Sequence, residues 1–320
     1  MHPAALFALA SSLVAPDTII SRDLTVPGPV PLGAVFTAPA DAEGPVPGLI
    51  IVHGSGGGDR DLTFGPNKPY RDIAEGLAQR GIAVLRYDKR AQAGPLWYFG
   101  KTFTVRDETI DDAVSALALL RAQPEVDPAR TFMIGHSLGG YLAPRIAAAD
   151  GHLAGLILMA GAWVGPIQEL LLLQLEYISR VADSATAARV IAQRRSIGAA
   201  VEAIRQLTPA DSAQLGAILG APAAYWLDLR EYDPVSALRD RPEPVLMLQG
   251  MRDYQVTPRM LNEFLSALGP RPATTVRRYP ALNHLFIAGE GMPRPEDYQV
   301  PGRVAGEVLD DIASWVKGEG

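Results

Sequence analysis

The run TFMIGHSLGGYLAPRIAAA (residues 131–149) decides how this chain is read. Its first residues are apolar and β-prone, its last carry a helical pattern, and between them Gly135-His136-Ser137-Leu138-Gly139 sets a serine on a sharp strand-to-helix turn. Such a turn needs small residues at 135 and 139, because it strains the serine backbone and brings strand and helix close together. The expected result is an exposed Ser137 hydroxyl at the carboxyl end of a strand. The amide of Leu138 and the positive end of the following helix should face the place where a negative oxygen would form. His136 adjoins the serine, but sequence neighbours cannot both face one point across this turn, so it is expected to be structural.

Outward from the turn, short β-rich runs alternate with helical patterns, the signature of a mostly parallel central sheet flanked by helices. GLIIVH (48–53) is almost wholly apolar, as a parallel strand buried on both faces should be. Further strands are expected at Ala83–Tyr87, Gly155–Ala160, Pro244–Gln249 and Thr274–Tyr279, with Ile19–Val26 and Leu32–Thr37 as an antiparallel edge. Helices are expected near Tyr70–Gln79, Thr109–Ala122, Ser137–Ala149, Pro258–Leu268 and Val304–Val316. The alternation lapses between about residues 163 and 231, where helices follow one another without a strand; Val190, Ile197, Val201 and Ile204 share a stripe, and Asp211 can cap the next helix. This segment is expected to be a helical cap inserted in one α/β domain spanning residues 18–320, since no repeat or flexible linker divides the chain.

Composition narrows the classes. With 48% hydrophobic and 20% charged residues among 320, the chain has the makeup of a globular protein. A net charge of −6 without a Lys/Arg cluster argues against a nucleic-acid partner. With no cysteine, disulfides, thiolate metal sites and a cysteine nucleophile are excluded. The richest apolar stretch, Leu153–Ile167, falls short of the roughly 18 residues of a membrane span and is broken by glycines. Residues 1–17 read as an N-terminal segment, either a packed helix or a remnant or mis-started secretory signal. It has no Lys or Arg ahead of its apolar part and a poor cleavage pattern, so a cytoplasmic location is expected, or a secreted or periplasmic one if residues 1–15 are a signal.

Strand GLIIV ends in HGSGGGDRD (53–61), a glycine loop at a strand's carboxyl end, where open α/β sheets hold ligands. It fits neither nucleotide-binding glycine motif. The Ser55 amide is expected to supply a second oxyanion donor beside Leu138, with Gly56 as the alternative. Asp59, Arg60 and Asp61, with Asp88, Lys89 and Arg90 after the next strand, are expected to brace this loop as an ion-pair network. An acid and then a base should follow the serine on loops after later strands. PVLMLQ (244–249) leads to Asp253 and TTVRRY (274–279) leads to His284, which alone of five histidines lies in a loop beyond the acid. A serine hydroxyl attacks at neutral pH only if a base of pKa near 7 takes its proton. Ser137, His284 and Asp253 are therefore the candidate nucleophile, base and orienting acid. Metal-ligand spacing is lacking, and no metal or cofactor is expected. Trp163, Tyr177, Tyr225 and Trp226 are the candidate pocket-lining residues of the cap.

On these residues the chain resembles the α/β-hydrolases, and within them bacterial serine carboxylesterases near the dienelactone-hydrolase and acylaminoacyl-peptidase branches. The resemblance runs from about Thr18 to Trp315 and rests on HGSGGGDRD, GIAVLRYDKR (81–90), GHSLGG (135–140), QGMRDYQV (249–256) and LNHLF (282–286). It implies an α/β-hydrolase fold and hydrolysis of a small-molecule, short-acyl ester through a covalent acyl-serine, without a cofactor. Two departures stand out: dienelactone hydrolases carry Cys where Ser137 stands, and acylaminoacyl peptidases carry a large β-propeller for which this length leaves no room. The triad does not distinguish leaving groups or acyl acceptors, so an amidase, peptidase or acyltransferase stays open, as does a receptor that binds ligand without catalysis.

Overall fold

A computed structural model describes residues 19–319, so the expectation for residues 1–17 lies outside the described residues. The chain opens with β1 (Ile19–Val26), β2 (Leu32–Pro39), β3 (Val46–Val52), α1 (Pro69–Ala78), β4 (Ala83–Tyr87), α2 (Arg90–Ala93) and α3 (Asp111–Arg121). It continues through β5 (Val126–His136), α4 (Leu138–Tyr141), α5 (Ala143–Asp150) and β6 (Gly155–Met159). Then come α6 (Ile167–Val181), α7 (Ser184–Gln206), the short strands β7 (Ala217–Ile218) and β8 (Ala221–Pro222), α8 (Ala223–Arg230) and α9 (Pro234–Arg239). The last elements are β9 (Val245–Gly250), α10 (Pro258–Leu268), β10 (Thr274–Tyr279) and α11 (Gly306–Lys317).

Eight strands form one sheet in the order β1-β2-β4-β3-β5-β6-β9-β10. The β1–β2 and β2–β4 pairs are antiparallel and the remaining pairs parallel. Alternation along the strands divides the core between the two faces, because successive side chains point opposite ways. Leu49 and Ile51 pack with Ile73 and Leu77 of α1 and Val308 and Ile312 of α11. Ile50 and Val52, from the same strand, pack with Leu117 and Leu120 of α3, Ile146 of α5 and Phe264 of α10. Helix cover on both faces explains why β3 is a continuous apolar run. The parallel pairing brings the loops after β3, β4, β5, β6, β9 and β10 to one edge of the sheet.

Three expectations are corrected. The helix expected over 137–149 is two helices, interrupted at Leu142. Pro144 has no amide to donate to the turn before it, which accounts for the break. The stretch between 163 and 231 is not free of strands: β7 and β8 make a two-residue antiparallel ribbon around Leu219 and Gly220, which both have positive φ. Asp211 does not cap from the N-terminal position; it sits a turn later and accepts from the amide and hydroxyl of Thr208, both at 2.7 Å. On α7, Val190, Val201 and Ile204 are buried as the stripe requires, while Ile197 is half-buried.

The α2–α3 corner is pinned by a buried ion pair. Arg90 donates to both carboxylate oxygens of Asp112, at 2.5 and 3.0 Å, with both side chains almost wholly enclosed. Asp112→Ala strands the guanidinium in the interior and is expected to cost about 3–5 kcal/mol of stability. Urea denaturation checks this, and a loss below about 1 kcal/mol would show that water reaches Arg90 in the variant.

Candidate active site

Ser137 links β5 to α4 with φ 53° and ψ −120°, a left-sided backbone conformation that residues with a Cβ adopt only under constraint. The constraint is close packing. A Cβ on Gly135 would lie 2.3 Å from the Gly139 carbonyl oxygen, and one on Gly139 would lie 2.5 and 2.7 Å from the carbonyl oxygens of Val52 and His53. The serine turn is thus wedged against the end of β3, and only hydrogen fits at those two positions.

His284 and Asp253 meet as the sequence order requires. His284 Nδ1 donates to Asp253 Oδ2 at 2.6 Å, and both residues are buried. Asp253 Oδ1 accepts from the amides of Gln255 and Val256 at 2.7 and 3.0 Å, so the carboxylate is fully engaged and fixed. The His284 loop is folded on Asn283, whose Oδ1 accepts from the amides of Leu285 and Ile287. Arg252 ties the acid loop to that loop, its amide donating to Leu282 O at 2.9 Å. Ser137 and His284 border one cavity of about 160 Å³ together with Ser55, Gly56 and Gln255.

His136 is structural, as its place in the turn implies. Its Nε2 donates to the carbonyl of His284 at 3.0 Å, so Nδ1 is the acceptor and takes the Tyr70 hydroxyl at 3.1 Å. Burial, with the nearby His284, pushes the His136 pKa down to about 3. Burial likewise lowers His53, which bonds Tyr87 O at 2.5 Å, to about 4.

Ser55 and Gly56 line the cavity at Ser137, and among the described residues their amides have no protein partner. Leu138 is buried as the first residue of α4. Since α4 is only one turn long, the amide itself rather than a long helix dipole is what that side can offer. The same loop residues, Ser55 to Gly57, also border a larger chamber of about 560 Å³. Tyr225 and Trp226 line it, with Tyr98, Phe103, Ile167 and Glu108. The other two aromatic candidates do not line either space. Trp163 is buried in a stack on Tyr141 with ring centroids 4.3 Å apart, and Tyr177 stacks on Tyr254 and donates to Pro293 O at 2.9 Å. Aromatic residue type gave both, and packing partners that sequence does not display took them elsewhere. Sequence reasoning missed Tyr98, on a 3-10 turn over Pro95–Tyr98, Phe103, Glu108, on a π-helical turn over Arg106–Ile110, and Tyr70, whose hydroxyl reaches His136 from α1.

The strained serine turn, the Asp253–His284 pair and the mostly parallel sheet define a hydrolase-type α/β scaffold. The profile of the alpha/beta hydrolase family matches residues 49–297, and the chain belongs to that family. It is 36% identical over 309 residues to esterase EstD of Thermotoga maritima, covering 95% of this chain and 69% of that protein. Among solved structures, an esterase of Pyrococcus furiosus superposes with a TM-score of 0.59 at 15% identity, over 94% of this chain and 91% of that one. Proline iminopeptidase of Mycobacterium smegmatis gives 0.57 at 19% identity, over 93% and 98%. These two likenesses concern the fold.

The buried histidines carry a pH prediction. Their folded pKa values lie below the ordinary 6.5, so between pH 6.5 and about 4 the unfolded chain binds more protons than the folded one. The stability they support is complete above pH 6.5 and falls as the pH drops through that window, by about 1.4 kcal/mol per pH unit for each histidine. Urea midpoints measured from pH 7 to 4 should fall accordingly, and His136→Gln should flatten the slope; an unchanged slope in that variant would remove His136 from the account.

Proposed function

We propose that this chain is a serine carboxylesterase acting on small, short-acyl esters. The observation that carries the reading is the buried 2.6 Å Asp253–His284 bond, whose His284 lines one cavity with a serine held at positive φ. The EstD relative, named an esterase, supports the same class.

In this reading Ser137 Oγ attacks the ester carbonyl and its proton passes to Nε2 of His284, because Nδ1 is committed to Asp253. Asp253 fixes the tautomer and offsets the imidazolium charge. The amides of Ser55 and Leu138, with Gly56 as the alternative to Ser55, hold the oxyanion. His284 then protonates the departing alcohol, and water, activated by the same histidine, releases the acid from Ser137. Ser137→Ala is expected to abolish turnover of p-nitrophenyl butyrate and labelling by a fluorophosphonate, with thermal stability within about 1 kcal/mol of the parent. Substantial residual activity in the folded variant would remove Ser137 from the nucleophile role.

The helices α6 to α8 are read as a cap, supported by Ile167, Leu171, Leu219, Tyr225 and Trp226 all lining the chamber beside the glycine loop. One domain then spans residues 18–320, with the cap inserted at about 163–231. The two spaces differ in kind. The one at Ser137, about 160 Å³, is much the smaller and suits a short acyl chain. The aromatic chamber lies in the size range of roughly 300–1,000 Å³ typical of small-molecule sites and suits the larger alcohol portion. Acetyl to hexanoyl esters are expected to be preferred, with kcat/KM falling for longer chains whose extra methylenes, worth ~0.8 kcal/mol each when buried, find no room. A series of p-nitrophenyl esters tests this, and a steady rise to dodecanoyl would replace the small-ester reading with a lipase one.

A further inference from the structure

The Gly54–Ser55 peptide is gripped from behind. Its amide N–H, on Ser55, is the oxyanion donor of the reading above, on which this inference rests. Its carbonyl oxygen accepts from Lys89 Nζ at 2.6 Å. Lys89 is almost wholly buried and is held in turn by Glu108 Oε1 at 2.6 Å, while Glu108 Oε2 accepts from the Thr109 hydroxyl at 2.6 Å. The backbone amide of Lys89 also donates to Gly58 O at 2.9 Å. One residue therefore fastens both ends of a loop that contains four glycines and has little conformational preference of its own.

The three charges after β4 divide their work. Asp88 accepts from the Arg60 amide and guanidinium, and Arg90 pairs with Asp112. Lys89 alone of the three reaches the peptide beneath the catalytic cavity. The N–H and C=O of a peptide share one π system. An ammonium bonded to the oxygen draws density from the nitrogen and strengthens the N–H as a donor, and hydrogen bonds in series polarise one another most where water is excluded. Glu108 makes a buried ammonium tolerable at this place and aims it.

We propose that Lys89 is a positioning residue for the oxyanion site: it fixes the plane of the Gly54–Ser55 peptide and polarises the Ser55 N–H toward the charge that develops on the ester oxygen. Such an effect belongs to the transition state. Losing it should lower kcat and leave KM nearly untouched.

The test compares the parent with Lys89→Met and, because that change strands the Glu108 carboxylate, with the double variant Lys89→Met/Glu108→Gln. Folding is checked by circular dichroism and thermal denaturation. Turnover of p-nitrophenyl butyrate is measured beside inhibition by butaneboronic acid, in which Ser137 Oγ adds to boron and its proton passes to His284, leaving an anionic tetrahedral adduct. Removal of an oxyanion donor outright costs about 10²–10³ in kcat, so loss of its support is expected to cost about 10- to 100-fold, with KM within about threefold. The boronate inhibition constant should rise by a similar factor in whichever variant is folded. A folded variant with kcat and boronate affinity within about threefold of the parent overturns the proposal, as does a loss of activity carried by KM with boronate affinity unchanged. Parent protein that neither reacts with a fluorophosphonate at Ser137 nor binds the boronate overturns the esterase reading and this inference with it; parent that does both leaves only the role of Lys89 at stake.

Discussion

The contact on which the site depends is the wedge between the serine turn and the end of β3. A side chain at φ 53° costs about 1–3 kcal/mol, and it persists only where the surroundings over-determine it. Here the carbonyls of Val52 and His53 lie where a Cβ on Gly139 would be, and Gly140 and Gly161 approach as closely on the other side. The Ser137 amide donates to Met159 O at 2.9 Å, at the end of β6. Strain at one residue is thus held by three adjacent strands, whose parallel register comes from the apolar runs that cover both faces of the sheet.

Around that wedge several buried polar side chains make bonds that join loops distant in sequence, although His53 Nδ1 and Arg252 Nη1 have no partner among the described residues. His136 connects the serine turn to the His284 backbone and to Tyr70 of α1. Asp253 has each carboxylate oxygen bonded. Arg252, next to it, donates to the carbonyls of Glu290 and Gly291 and to Asp297, which fastens the segment beyond His284. A buried polar group without a partner costs about 1–3 kcal/mol, so each of these bonds penalises any displacement of the groups it joins.

The sheet and the serine turn were legible because their signals are local. GLIIVH cannot be half-exposed, and glycine on both sides of Ser137 has a steric reason readable without coordinates. The pairing of His284 with Asp253 was expected from order and from position after strands, a topological argument that needs no distances. The break at Leu142 was present as Pro144 but outweighed by the helical pattern around it. For Trp163 and Tyr177, residue type says that a ring is buried or half-buried, not that it stacks on Tyr141 or Tyr254. Lys89 was visible as part of a charge network, yet nothing in YDKR says that its ammonium turns toward Gly54 while its neighbours turn away.

That division follows the physics of the two regions. The proposed catalytic groups sit on loops at the ends of strands, where register and close packing constrain the backbone and few sequences satisfy the contacts. The chamber is lined from α6, from the ribbon around Gly220, from α8 and from the stretch of short 3-10 and π-helical turns between α2 and α3, where Leu96 and Phe99 are 85% and 87% exposed. Few contacts constrain such a stretch, so its sequence can vary while the sheet stays the same. On the proposed reading, specificity is to be sought between residues 91 and 108 and between 167 and 226, and reactivity in the loops at the carboxyl edge of the sheet, with Lys89 and Glu108 standing at the boundary between the two.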